Sequence, residues 1–196
     1  MTRPSQAAPA DPTAAVPRPA ARTLLLYLGN PIAGDDAVGL VVGARLAAEL
    51  ETGNGGAGSH GPGGAGPDSA APAVTAREFG GSPLDLLSAV GGFDRLILID
   101  AVATGAPVGA VQLFDEGALM ARRADAYPHG LNIPEALALG RRLGAELPAR
   151  IHLIGIEVLP VQRFHEGLSP DLSARLPAAL AEARRILVSL SSSSDS

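Results

Sequence analysis

The chain has 196 residues and a formal charge of −5, which fits a single domain with room for a full core. The negative balance, without a basic patch, argues against nucleic acid as a partner, and no apolar run approaches the length of a membrane span. Cysteine is absent, which excludes disulfides, thiolate metal sites and a cysteine nucleophile within this sequence.

Residues 1–22 are rich in Ala and Pro and lack the apolar centre of a secretion signal. They predict a disordered lead-in to a cytoplasmic protein. A single α/β domain is expected over 23–190. Its first strand is the apolar run Leu24 to Leu28, followed by the turn residues Gly29-Asn30-Pro31. Gly34 leads into two adjacent carboxylates, Asp35 and Asp36. Val38, Val41, Val42 and Leu46 then recur at helical spacing. A strand, a tight loop and a helix start make the first half of a βαβ unit. Such a loop lies beyond the carboxyl end of its strand, where open α/β sheets bind ligands. Capping the helix accounts easily for one of the aspartates and less easily for both. The glycines lack the G-x-G-x-x-G spacing, and the sequence has no lysine, so a phosphate-cradling loop is not read here.

The helix is expected to end near Leu50. A Gly-rich insert, 52–72, reads as a flexible loop in which His60 is solvated. Residues 74–79 predict a second strand, and Ser82-Pro83 opens a helix carrying Leu84, Leu86, Leu87 and Val90. Arg95 to Val102 is a strong buried strand with Asp100 near its end. Burying an unpaired carboxylate is costly, so Asp100 caps, pairs or works at the mouth of the sheet. The next strand, 110–114, follows a connection too short for a helical crossover, so the sheet is expected to be mixed. A short helix over 116–124 and a turn over 127–130, which holds His129, come next. Asn132 and Glu135 then form a capping box on a helix that reaches about Glu146. Residues 150–158 are the fifth strand, with His152 inside it. His165 lies in the following loop. Ser169-Pro170 opens a last helix to about Leu190, and 191–196 read as a disordered tail. This order predicts a three-layer α/β/α sandwich around a mixed, mostly parallel sheet of about five strands.

Three features converge on one edge of such a sheet: Asp35-Asp36 after the first strand, Asp100 on the third, and His129 after the fourth. Two carboxylates and an imidazole suit a divalent ion such as zinc, nickel or manganese, and they also suffice for acid–base chemistry. His152 reads as structural and His165 as a weaker candidate. No G-x-S-x-G elbow supports a serine triad, and the H-E-x-x-H pattern is absent.

The motifs G-N-P-I-A-G-D-D-A-V-G (29–39), L-I-L-I-D-A-V (96–102), P-H-G-L-N-I-P-E-A-L-A-L (128–139), G-I-E (155–157) and F-x-x-G-L-S (164–169) resemble those of the maturation endopeptidases of nickel-iron hydrogenases. The resemblance spans nearly all of 24–187 apart from the insert. It implies a three-layer α/β fold with a mixed sheet. It also implies an enzyme that removes a short C-terminal peptide from the precursor of the hydrogenase large subunit once nickel has been inserted. The nickel would come with the substrate, and no tightly held cofactor is expected. The family's metal-contacting residues map onto Asp36, Asp100 and His129, with Asp35 as a cap or an orienting neighbour, and the family is usually monomeric, so the resemblance implies a monomer. A different reading of the same three residues is a non-catalytic assembly chaperone that senses nickel occupancy; turnover separates the two.

Overall fold

The computed structural model describes residues 21–53, 74–121, 132–160 and 165–192. The sequence-based expectations for 1–20, the insert from 54 on, the His129 turn and the last four residues lie outside the described residues.

Five strands form one sheet: β1 (Thr23–Tyr27), β2 (Val74–Glu78), β3 (Arg95–Val102), β4 (Val111–Asp115) and β5 (Arg150–Glu157). Their order is β2-β1-β3-β5-β4, with β4 antiparallel to β5 and every other pairing parallel. The mixed sheet expected from the short connection before β4 is thus present, and β4 is an edge strand. The helices are α1 (Val38–Gly53), α2 (Asp85–Ala89), α3 (Glu116–Ala121), α4 (Ile133–Arg142) and α5 (Pro170–Ser192).

The apolar strands alternate between two cores, as side chains on a pleated strand must. Leu25, Ile97, Ile99, Ile154 and Ile156 face Val38, Val42 and Leu46 of α1 and Leu172, Leu176 and Leu187 of α5. Leu24, Leu26, Leu96, Leu98 and Leu153 face Leu86 of α2, Leu119 of α3 and Leu137 of α4. A sheet covered on both faces explains why β1 and β3 read as unbroken apolar runs. With aromatics at only 3% of the chain, aliphatic side chains fill both layers, each contributing about 1.5–3 kcal/mol on full burial.

Local chemistry sets the helix ends. At α4, the Asn132 side chain accepts from the Glu135 N–H at 2.9 Å while Glu135 accepts from the Asn132 N–H at 3.1 Å, the expected capping box. The helix stops at Arg142 rather than near Glu146. Gly144 takes a φ of +73°, and the Ala145 N–H returns to the Gly140 carbonyl at 2.9 Å, which closes the end. Helix α1 runs on to Gly53, and α5 runs to Ser192, where the Ser191 hydroxyl donates to the Leu187 carbonyl at 2.8 Å. Pro177 lies inside α5 without ending it.

Candidate active site

The two candidate acids reach the carboxyl end of the sheet by separate routes. The β1 ladder ends with Tyr27 paired to Ile99, whereas β3 continues to Val102. Asp100 is therefore the first β3 residue beyond the β1 ladder. It stands where the chain's crossovers reverse direction between β1 and β3, the usual ligand crevice of an open α/β sheet.

The chain leaving β1 turns back over this point. The Asn30 side-chain oxygen accepts from the Ile32 N–H at 3.2 Å, and the Asn30 N–H donates to Asp36 Oδ2 at 3.1 Å. Asn30 thus fixes the loop and orients one of the acids. A 3-10 turn, Gly34–Ala37, then feeds α1. Gly39, in the first turn of α1, permits the close approach: a Cβ there would fall 2.9 Å from the Ile99 carbonyl oxygen and 3.0 Å from the Asp100 Cα. The helix start rests directly on β3, and the Asp36 charge is felt at Asp100.

That proximity shows in the acidities. Burial raises the Asp36 carboxyl above the usual carboxylate range, opposed by the Asn30 N–H. Burial pushes Asp100 up to about 7, opposed by the Ala101 N–H at 2.9 Å and reinforced by the Asp36 charge. Among the described residues no arginine forms an ion pair with either acid. Two carboxylates in a partly buried site without a cation are poised to accept a proton or a metal ion.

Asp35 has a different task. Neither aspartate caps the turn in which it stands: the preceding residue is Ala33, which makes no side-chain cap. Asp35 instead accepts from the Ser169 N–H at 2.6 Å and from the Ser169 hydroxyl at 2.8 Å, while the Ser169 hydroxyl accepts from the Leu172 N–H at 3.3 Å. It anchors the start of α5 across the top of the sheet. Asp35→Ala is accordingly expected to lower stability by about 1–2 kcal/mol, read as a fall in Tm, while sparing the chemistry of Asp36.

The histidines separate by position. His129 lies outside the described residues, as does His60. His152 sits half-buried on β5 at the opposite end of the sheet, beside a cavity of about 390 Å³ that Arg95, Asp115 and Arg150 also line. Burial and the charges of Arg95 and Arg150 hold its imidazole below the usual range. His165 is brought onto the Asp35-Asp36 turn. Its carbonyl accepts from the Gly34 N–H at 2.8 Å, and Ala33 and His165 form a parallel bridge. Nothing in the local sequence announces this contact, which joins segments from opposite ends of the chain. Among the described residues no three of His, Asp and Glu lie close enough to hold an ion, so the candidate metal set depends on His129.

The acid of the G-I-E motif, Glu157, is buried at the end of β5. It accepts from the Thr104 N–H (2.6 Å) and hydroxyl (2.7 Å), the Gly105 N–H (2.8 Å) and the Gln112 amide (3.1 Å). These bonds commit it to the loop between β3 and β4.

The family described as HycI, hydrogenase maturation protease, matches residues 69–186, more than half of the chain. The chain belongs to this hydrogenase maturation protease family. The matched span contains Asp100 and His129, and Asp36 lies ahead of it. Among solved structures, the hydrogenase maturating endopeptidase HybD from E. coli is 23% identical; the likeness covers 86% of this chain and 93% of that one, with a TM-score of 0.60. The [NiFe] hydrogenase maturation protease HycI from Thermococcus kodakarensis KOD1 is 22% identical, over 86% and 93% of the two chains, with a TM-score of 0.56. At these identities the likeness speaks for the fold, and it includes the α/β sandwich read from the sequence. No curated protein matches the sequence. No described helix of this family member is long and apolar enough to cross a membrane.

Proposed function

We propose that this protein is the endopeptidase that removes a C-terminal peptide from the nickel-loaded precursor of a nickel-iron hydrogenase large subunit. The observation that carries the reading, within a maturation protease family, is the Asp36–Asp100 pair: two partly buried carboxylates, one held near neutrality, with no cationic side chain to balance them among the described residues. The missing charge is what a substrate that arrives with its own metal would bring. Asp36, Asp100 and His129 would hold the nickel, an oxygen and imidazole donor set that binds it more loosely than thiolates do. Loose retention suits an enzyme that must recognise nickel already ligated in another protein and then release it. When bound, the nickel supplies polarisation of the scissile carbonyl or a more acidic water. The chain's own residues do the rest. Asp100, titrating near neutrality, can take or give a proton. The Asn30 N–H orients Asp36. Asp35 fixes α5 against the site. The enzyme acts as a monomer in the cytoplasm, with no tightly held cofactor of its own.

Intact mass tests this directly. The purified protein is incubated at a low molar ratio with the large-subunit precursor of the same source, nickel-loaded and nickel-free. Loss of a C-terminal peptide from many loaded precursors per enzyme, and none from the nickel-free form, is the expected result. A stable complex without any loss of mass would replace the peptidase with a nickel-sensing chaperone. Equal loss from both forms would remove the nickel gate.

A further inference from the structure

We propose that His165 is a substrate-contacting residue of this site, its Nε2 accepting a hydrogen bond from a backbone N–H of the precursor chain as that chain crosses the Gly34–Ala37 turn. The inference rests on the proposed function and adds a residue that neither the metal set nor the fold requires.

Four observations lead to it. The first is placement: the Ala33–His165 bridge and the Gly34 N–H bond to the His165 carbonyl pin this backbone to the turn that carries Asp35 and Asp36. The second is the tautomer. His165 Nδ1 lies 3.3 Å from the Glu166 carbonyl oxygen, and a carbonyl only accepts. In the neutral tautomer that makes this hydrogen bond the proton sits on Nδ1 and Nε2 is an acceptor. The third is the surface beneath the ring. Gly34 has a φ of +62°, and a Cβ there would lie 2.6 Å from Nε2 and 2.7 Å from Cε1. The ring lies flat against a residue with no side chain, so its seat on the turn requires glycine at 34.

The fourth is the absence of a competing use. The side chain is exposed, and no described residue donates to Nε2. His165 also forms no three-residue ion site with the described acids. An acceptor beside one unextended rung of parallel pairing is suited to an extended peptide, whose N–H groups recur at every second residue along one edge.

The test uses the full chain, with His165→Leu removing the acceptor and His165→Gln restoring one through its amide oxygen. Affinity for the nickel-loaded precursor and the KM and kcat for trimming are measured beside Tm. His165→Leu is expected to weaken precursor binding and raise KM by about fivefold to tenfold, with kcat and Tm nearly unchanged. His165→Gln is expected to stay within about twofold of the parent. Parental affinity in the Leu variant overturns the proposal. So do equal losses in both variants accompanied by a lower Tm, which would mark a structural role. A fall in kcat with KM unchanged overturns it as well. If the parent binds precursor without cutting it, the peptidase reading fails, while the affinity of the Leu variant still decides the role of His165. If the parent neither binds nor cuts, both fail.

Discussion

Asp36→Ala is expected to abolish trimming of the nickel-loaded precursor, by at least about a thousandfold in kcat/KM, while Tm stays close to that of the parent. The separation of effects follows from what the carboxylate touches. Asp36 accepts one backbone N–H, from exposed Asn30, which water can replace. Burial already raises its pKa, so the ionised group gains nothing from the folded site. Removing it therefore costs the fold little and deprives the site of half of its negative charge. Its neighbour behaves in the opposite way, because Asp35 holds Ser169 at the start of α5 through two hydrogen bonds. Asp35→Ala should lower Tm and keep activity, whereas Asp36→Ala should keep Tm and lose activity. Intact-mass time courses with thermal denaturation of both variants settle the assignment. Normal trimming by Asp36→Ala would remove this residue from the site. On the proposed function the two carboxylates act as one unit, so Asp36→Ala combined with Asp100→Asn should be no less active than the worse single variant.

The contrast between these adjacent aspartates also marks how far a sequence can be read. The strand Arg95–Val102 has the limits that its apolar run indicates. The Asn132–Glu135 box is visible at its three-residue spacing because both partners are local. The mixed sheet follows from the length of one connection, while the edge position of β4 is read from the folded sheet. The end of α4 is less legible, because a Gly144 at positive φ outweighs a helical pattern that continues to Glu146. The division of labour between Asp35 and Asp36 is not legible at all. It is decided by Ser169, Asn30 and Asp100, which only the folded sheet brings to the turn. The same holds for His165: its place in a loop made it only a weaker candidate, yet the parallel bridge to Ala33 sets it beside the candidate acids. Local patterns fix elements, caps and topology, while long-range packing assigns the polar side chains their work.

Asp100→Asn is expected to make the protein more stable at pH 8 and to cost it at least about a hundredfold in trimming. The stability gain follows from linkage. The folded carboxyl titrates at about 7 against 3.8 for the free side chain, so between those values the folded state binds a proton that the unfolded state has released. Stability therefore falls as pH rises from about 4 to 7, and the full cost of the buried charge is present above that. At about 1.4 kcal/mol per pH unit the cost amounts to about 4 kcal/mol, on the order of 10–15 °C in Tm for a chain of this size. Asparagine has nearly the shape of the protonated acid and never ionises. The variant and parent should therefore melt together near pH 4 and diverge up to pH 7, with the gap constant beyond it. A gap independent of pH would mean that Asp100 is not held near neutrality. Asp36 contributes to the effect, so Asp36→Ala should lower the midpoint at which the gap opens. Greater stability together with lost trimming in Asp100→Asn would mark a carboxylate that destabilises its own fold at working pH and serves the substrate through its charge, as the proposed function requires.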